Sequence, residues 1–141
     1  AVKYIREHAD EFQVDPEGYS VWGGSAGARL SSEACYGEAG ISRKDIIHPA
    51  TAVIAYTTFM GDPNFESTDA PAYMIVGTND WIVDYRIMTE RAEVMRAAGI
   101  PVKCVVLPGV EHGFGTGVGM EAEGWMDDAV AFWEEQRVRK Y

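Results

Sequence analysis

The chain has 141 residues, of which 47% are hydrophobic and 24% charged, a composition typical of one globular domain with a buried core. Twelve Lys and Arg against 22 Asp and Glu give a net charge of −10, which opposes binding to nucleic acid or to an anionic lipid surface. No stretch approaches the eighteen or so apolar residues of a membrane-spanning helix, and the first residues mix charges into a pattern unlike a secretion signal. We expect a soluble protein, with the cytoplasm as the favoured compartment.

The first third of the chain predicts a helix, a strand and a second helix. Apolar residues recur three or four positions apart at Val2, Ile5, Ala9 and Phe12. This spacing predicts an amphipathic helix over residues 1–12. Turn-forming residues at 15–18 lead into a short strand at 19–22, and residues 26–36 follow as a helix. The polar stretch 37–49 is expected to be irregular.

The rest of the chain alternates buried strands with helices. Successive apolar residues at 51–56, 72–76 and 102–107 predict strands buried on both faces, as in a parallel sheet. Helices are predicted over 84–98, with Gly99 as a left-handed cap, and over roughly 120–138. Each helix is predicted from residues that share one stripe: Ile87, Arg91, Val94, Met95 and Ala98 in the first, and Met126, Ala129, Val130 and Trp133 in the second. The predicted fold class is therefore α/β, with helices on both faces of a parallel sheet.

A GxSxG motif at residues 23–27 lies between the first strand and the second helix. A tight strand-to-helix turn holds a serine where a base can reach it, so Ser25 is the candidate nucleophile. At Gly23 and Gly27 we expect the strand and the helix to lie so close together that a Cβ would clash. The backbone N–H of Ala26, at the helix N-terminus, is the candidate oxyanion-hole donor.

Two further candidates follow the ends of later strands. Asp80 comes three residues after the strand that stops at Gly77, and His112 follows the strand that ends at Leu107. Because ligands bind at the carboxyl ends of parallel strands, both side chains are expected near Ser25. The chain order Ser, Asp, His is the one that accompanies a GxSxG turn. In this arrangement the histidine accepts the serine proton and the aspartate orients the histidine.

Each of these residues also has a simpler interpretation. Asp80 could be a turn carboxylate, and His112 could be a solvated loop residue. Asp84 competes for the acid role, but it is expected to cap the helix that begins there. His8 and His48 follow no strand and are interpreted as structural or solvated.

Other chemistry-bearing residue types give weaker signals. Cys35 and Cys104 lack metal-binding spacing and are interpreted as small buried hydrophobes. Four aromatic residues are candidates for either core or pocket lining: Trp22, Trp81, Phe114 and Trp125. The sequence holds no cluster of metal ligands and no phosphate-binding loop, so neither a metal nor a cofactor is predicted.

Four runs resemble the C-terminal half of α/β-hydrolases of the esterase and lipase type: VDPEGYSVWGGSAG, PAYMIVGTND, GVEHGFG and the closing EGWMDDAVAFWEEQ. They are similar to small bacterial carboxylesterases and to acetyl or xylan esterases. The resemblance implies a three-layer αβα fold lacking the N-terminal strands, and hydrolysis of short-chain carboxylic esters through a Ser-His-Asp triad and an acyl-enzyme. Many relatives carry a second glycine where this chain has Ala28, and an HGG-type loop, not found in this sequence, that supplies a second oxyanion donor.

Three functional hypotheses follow. The leading one is a serine hydrolase that acts on a small-molecule ester, with residues 1–141 as a single catalytic domain. A peptidase of the prolyl oligopeptidase type has the same triad order. A non-catalytic half-domain or interaction module is the third. Because the strand before Ser25 is expected at an unpaired sheet edge, we also expect a homo-oligomer, or association with a segment that supplies the missing strands.

Overall fold

The computed structural model describes residues 1–37, 46–58 and 61–140, except for the side chains of residues 139 and 140. Part of the predicted irregular stretch 37–49 thus lies outside the described residues. The strands are β1 (Ser20–Gly24), β2 (Thr51–Ala55), β3 (Ala72–Gly77) and β4 (Val102–Leu107). The helices are α1 (Val2–Glu7), α2 (Ala9–Phe12), α3 (Ala26–Tyr36), α4 (Tyr85–Ala97) and α5 (Trp125–Lys140).

The four described strands form one parallel sheet in the order β1-β2-β3-β4. Its register aligns one residue of each strand in a row that crosses the sheet: Trp22, Val53, Tyr73 and Lys103. β2 and β3 are buried along their whole length, whereas every residue of β1 is half-buried. The predicted parallel sheet is confirmed, and β2 and β3 are buried on both faces as predicted. The same prediction is wrong for β4, where Leu107 is buried and Lys103 is exposed.

Alternate residues of the central strands enter two separate cores. On one face Ile54 and Met74 pack with Met88 of α4 and with α3. On the other face Tyr73 packs with Phe132 of α5. A fully buried side chain of this size contributes about 1.5–3 kcal/mol, so both helix layers are held by the sheet. The predicted three-layer αβα arrangement is confirmed.

The predicted stripes of α4 and α5 are buried only in part. Met95 of the α4 stripe is buried, together with Met88 and Ala92, while Ile87 and Val94 are 39% and 48% exposed. In α5, Ala129 is buried as predicted, together with Phe132, whereas Met126 and Val130 are exposed. An apolar residue on the flank of a helix fits the same spacing, so only docking onto the sheet decides the phase.

The predicted helix over residues 1–12 is also wrong as a single element. It is interrupted at His8, whose backbone has φ −120° and ψ 26°, and Ala9 is its buried residue. The predicted cap of α4 is confirmed: Gly99 has φ +88°, and the Ile100 N–H reaches back to the Met95 carbonyl at 3.1 Å. None of the helices in the described ranges is long and apolar enough to cross a membrane.

Candidate active site

Ser25 lies on a strained turn between β1 and α3. Its backbone has φ 53° and ψ −118°, a conformation that costs a non-glycine residue about 1–3 kcal/mol. The Ser25 N–H donates to the Ala55 carbonyl at 3.0 Å, which ties the turn to the end of β2. The Ser25 side chain makes no capping hydrogen bond to α3. Its hydroxyl is therefore directed away from the helix backbone.

The two glycines of the turn at Ser25 differ in the space available for a side chain. A Cβ on Gly23 would overlap the backbone of Gly27 and the nitrogen of Ala28, so the strand and the helix pack without a side chain between them. A Cβ on Gly27 would meet nothing within 4 Å. The prediction that closeness requires glycine is thus met at Gly23 and wrong at Gly27. The small residue at Ala28, fully buried, is compatible with the same close contact.

Asp80 is held by the loop that follows β3. Its Oδ1 accepts the backbone N–H groups of Ile82 at 2.9 Å and Val83 at 2.8 Å. Its Oδ2 contacts His112 Nδ1 at 2.7 Å. The Asp80 side chain is 0% exposed, and three donors are what a buried carboxylate requires. Asp80 is thus a turn carboxylate through Oδ1, as the simpler interpretation expected, and it contacts His112 through Oδ2.

The loop that carries His112 is fastened to the loop that carries Asp80. The Thr78 N–H donates to the Leu107 carbonyl at 2.9 Å, and the Asn79 N–H donates to the Val110 carbonyl at 3.1 Å. A Cβ on Gly77 would overlap the Val110 backbone, so this glycine lets the two loops cross. This close approach of the two loops places His112 at the carboxyl end of the sheet.

The structure brings Ser25, Asp80 and His112 together across 87 residues of chain. His112 Nε2 lies 3.0 Å from Ser25 Oγ, while Nδ1 faces Asp80. A carboxylate only accepts hydrogen bonds, so Nδ1 carries the imidazole proton and Nε2 accepts from the serine hydroxyl. The His112 side chain is 11% exposed. The arrangement can move a proton from serine to imidazole while the imidazolium stays paired with a buried carboxylate.

The other titratable candidates lie elsewhere. Asp84 caps α4 by accepting the Arg86 N–H at 3.0 Å, and hydrogen bonds from Arg86 hold the pKa of the Asp84 carboxyl below its usual value. His8 stacks on the Tyr4 ring at 4.0 Å, and His48 is exposed. The predicted capping role of Asp84 is confirmed.

Neither cysteine takes part in the site. Both are free thiols, and burial, followed by the charge of Asp69, raises the pKa of Cys35 to about 12. Burial also raises the pKa of Cys104. Within the described residues, no group of three or more His, Cys, Asp and Glu side chains is arranged to hold a metal ion.

Ala26 is the first residue of α3 and is exposed. The first N–H groups of a helix have no partner within the helix, so this N–H is available beside Ser25. A cavity of about 300 Å³ adjoins the His112 loop and is lined by residues 108–114 with Met120 and Glu121. It is large enough for a small ligand.

Of the aromatic candidates, Phe114 is buried and Trp22 and Trp125 pack against the same core, whereas Trp81 is 78% exposed. Sequence reasoning missed Tyr56, whose ring packs on His112 with centroids 5.0 Å apart. Its position directly after a buried strand is a signal that could have found it, since residues there share the site.

Solved structures share the fold of this chain. An esterase from Thermogutta terrifontis, with propionate bound, superposes with a TM-score of 0.76 at 20% identity over 95% of this chain. The same esterase has been solved phosphonylated by cyclosarin. MGS-M1, an α/β hydrolase from a Medee basin deep-sea metagenome, gives 0.73 at 18% identity over 97% of this chain. The chain has part of the α/β-hydrolase fold.

A truncated carbohydrate esterase from gut microbiota gives a TM-score of 0.75 at 15% identity over 97% of this chain. The chain spans 61%, 62% and 66% of the lengths of these three structures. The predicted resemblance in fold to part of an α/β-hydrolase is therefore confirmed. The sequence itself matches no family model and no curated protein.

Proposed function

We propose that the chain carries the catalytic machinery of a serine hydrolase that cleaves carboxylic esters of short acyl chain. The observation that supports this most is the continuous contact from Asp80 through His112 to Ser25, at 2.7 and 3.0 Å. Ser25 lies on a strained turn beside the N-terminus of α3, where a developing negative charge is stabilised.

The proposed reaction has two half-reactions. Ser25 Oγ attacks the ester carbonyl while His112 Nε2 takes its proton, and the carbonyl oxygen becomes an oxyanion near the Ala26 N–H. The intermediate collapses, the C–O bond to the alcohol breaks, and His112 returns the proton to the leaving oxygen. Water then attacks the acyl-enzyme with His112 as base, which releases the acid and restores the Ser25 hydroxyl.

Asp80 supports this reaction without giving up its charge. Its hydrogen bond to Nδ1 fixes the imidazole tautomer, and its buried carboxylate stabilises the imidazolium that forms in each half-reaction. The Ile82 and Val83 N–H groups keep the carboxylate oriented. A short acyl group is favoured by the cavity of about 300 Å³ beside His112 and by the propionate of the Thermogutta terrifontis esterase.

The decisive experiment combines a covalent probe with two substrates. A fluorophosphonate should label Ser25, located by peptide mapping, and short p-nitrophenyl esters should be hydrolysed faster than the matching anilides. Ser25→Ala should abolish both signals. Ser20→Ala is the matched control, because Ser20 lies on the same strand and its hydroxyl contacts Thr51 Oγ1 instead.

Each alternative has its own outcome in that experiment. Faster cleavage of the anilides would favour a peptidase, and a folded chain without labelling at Ser25 would favour a non-catalytic module. The phosphonylated Thermogutta terrifontis esterase shows that the probe chemistry suits this fold.

The predicted association belongs to the same proposal. β1 lies at one edge of the described sheet and is half-buried throughout, and an edge strand offers unpaired backbone groups to another chain. Light scattering across a concentration series should give a mass above 15.5 kDa. A folded monomer with full ester hydrolysis would contradict this part of the proposal.

A further inference from the structure

Tyr56 occupies an unfavourable backbone conformation at the carboxyl end of β2. Its φ is +41°, a left-handed value that is an outlier for a bulky residue. The Tyr56 N–H donates to the Ile75 carbonyl at 2.8 Å, so the conformation is held by the neighbouring strand. Strained residues persist where the surroundings over-determine them, and they cluster at functional sites.

The strained backbone directs the Tyr56 ring into the site. The ring lies edge-to-face with the His112 imidazole, at 5.0 Å between centroids and 70° between planes. A second edge-to-face contact joins it to Phe114 at 4.8 Å and 71°. Tyr56 also packs against both hydrophobic cores. The ring is therefore fixed from several sides, as a support for another group must be.

The turn that carries Ser25 leaves room for this ring. A Cβ on Gly24, the residue before Ser25, would lie 2.6 Å from the Tyr56 hydroxyl oxygen and 2.9 Å from the carbon that bears it. The hydroxyl end of the ring thus reaches the turn of the nucleophile. The same side chain contacts the turn before Ser25 at one end and the imidazole of His112 along its ring.

Asp80 holds the imidazole at one atom, Nδ1. The other polar contact of the ring is the one between Nε2 and Ser25 Oγ, at 3.0 Å. Neither contact fixes the plane of the ring, and a tilt would misalign Nε2 with Oγ. A packed aromatic ring restricts this tilt, and a misplacement of about 1 Å costs on the order of 10²-fold in rate. We infer that Tyr56 is a positioning residue that holds the His112 imidazole in line with Ser25. The expected effect of Tyr56 on the rate of hydrolysis rests on the proposed function, whereas its effect on the orientation of the imidazole does not.

The test compares Tyr56→Leu with Tyr56→Phe, and Phe65→Leu is the matched control. Phe65 forms an edge-to-face pair with Tyr36, at 5.5 Å and 83°, at the far end of α3 from Ser25. The first measurement is the ring ¹⁵N and ¹H spectrum of His112, assigned with His112→Gln. Tyr56→Leu should shift the ¹⁵N signal of Nε2, which faces the Ser25 hydroxyl, while the Nδ1 proton stays bonded to Asp80. Tyr56→Phe and Phe65→Leu should keep the wild-type signals.

The second measurement is ester hydrolysis at neutral pH. Tyr56→Leu should lower kcat by about 10- to 100-fold with KM within about twofold, and Tyr56→Phe should restore most of the loss. Unchanged His112 signals in folded Tyr56→Leu would overturn the inference. If Tyr56→Leu fails to fold, Tyr56→Gly removes the ring and adopts the positive φ without strain. Absence of hydrolysis by the wild-type chain would refute the proposed function alone, because the spectrum still decides the role of Tyr56.

Discussion

Two side-chain networks in this molecule contain an aspartate. The site network consists of Ser25, His112 and Asp80, and the helix-sheet network consists of Tyr73, Asp128 and Lys103. Each joins elements that are far apart in sequence. They differ in burial of the carboxylate: the Asp80 side chain is 0% exposed and that of Asp128 is 41% exposed.

The networks also differ in what lies at their ends. Burial, followed by the hydrogen bond to Asp128, raises the pKa of Tyr73 well above its usual value, so this phenol stays protonated and donates to Asp128. The hydrogen bond from Lys103 holds the pKa of Asp128 below its usual value. The helix-sheet network thus ties α5 to β3 and β4 and has no group ready to react. The site network ends at the Ser25 hydroxyl, and its His112 lines a cavity.

The comparison predicts that breaking the site network removes activity at little cost in stability. Ser25→Ala should lower kcat for ester hydrolysis by about 10³ to 10⁶, because no other group takes the place of the nucleophile. The thermal midpoint should stay close to that of the wild type. Steady-state kinetics with calorimetry on one preparation checks this. Retention of half the activity would remove Ser25 from the proposed role.

The carboxylate of the site network should matter nearly as much for the rate. Asp80→Asn should lower kcat by about 10⁴, because an amide at this position donates to Nδ1 and favours the wrong imidazole tautomer. Asp84→Asn is the control, since Asp84 caps α4 and faces Arg86. It should weaken the helix start and leave kcat nearly unchanged. Equal kinetic effects of the two substitutions would contradict the assignment.

A change of pH should separate the effect on catalysis from the effect on folding. The rate of ester hydrolysis should fall as the pH is lowered, because an imidazole that carries a proton on both nitrogens cannot accept the Ser25 proton. Circular dichroism over the same range shows whether the chain stays folded. A folded protein whose rate stays constant down to about pH 4 would exclude His112 as the base.

The helix-sheet network should show the opposite pattern, with the smallest effect. Asp128→Asn should lower the free energy of unfolding by about 1 kcal/mol at neutral pH and leave kcat unchanged, because the half-exposed carboxylate is screened by solvent. Asp127→Asn, the neighbouring carboxylate in the first turn of α5, controls for the helix dipole. Denaturant titration of both variants measures the difference.

The sign of the pH effect follows from the lowered pKa of Asp128. A carboxyl with a lower pKa in the folded than in the unfolded chain contributes stability above its unfolded value, near pH 3.9, and loses it as the pH falls through the folded value. The gap between wild type and Asp128→Asn should therefore close on acidification. A gap that widens at acidic pH would contradict the network.

The sequence by itself determined the features that depend on neighbouring residues. Continuous apolar runs predicted the buried strands, the flanking strand and helix predicted the turn at Ser25, and chain order linked Ser25 to Asp80 and His112. Asp84 and Gly99 were predicted correctly because a cap depends on backbone groups within one turn of the helix. The catalytic roles at the site remain predictions.

Only the tertiary structure decided what depends on contacts between distant segments. Docking on the sheet chose the buried faces of α4 and α5, and crossing of two loops explains the glycine at Gly77. The ring of Tyr56 meets His112 and the turn at Gly24 through contacts that span 56 and 32 residues of chain. Such contacts leave no spacing pattern, because their partners are set by how the elements pack and not by where they stand in the sequence.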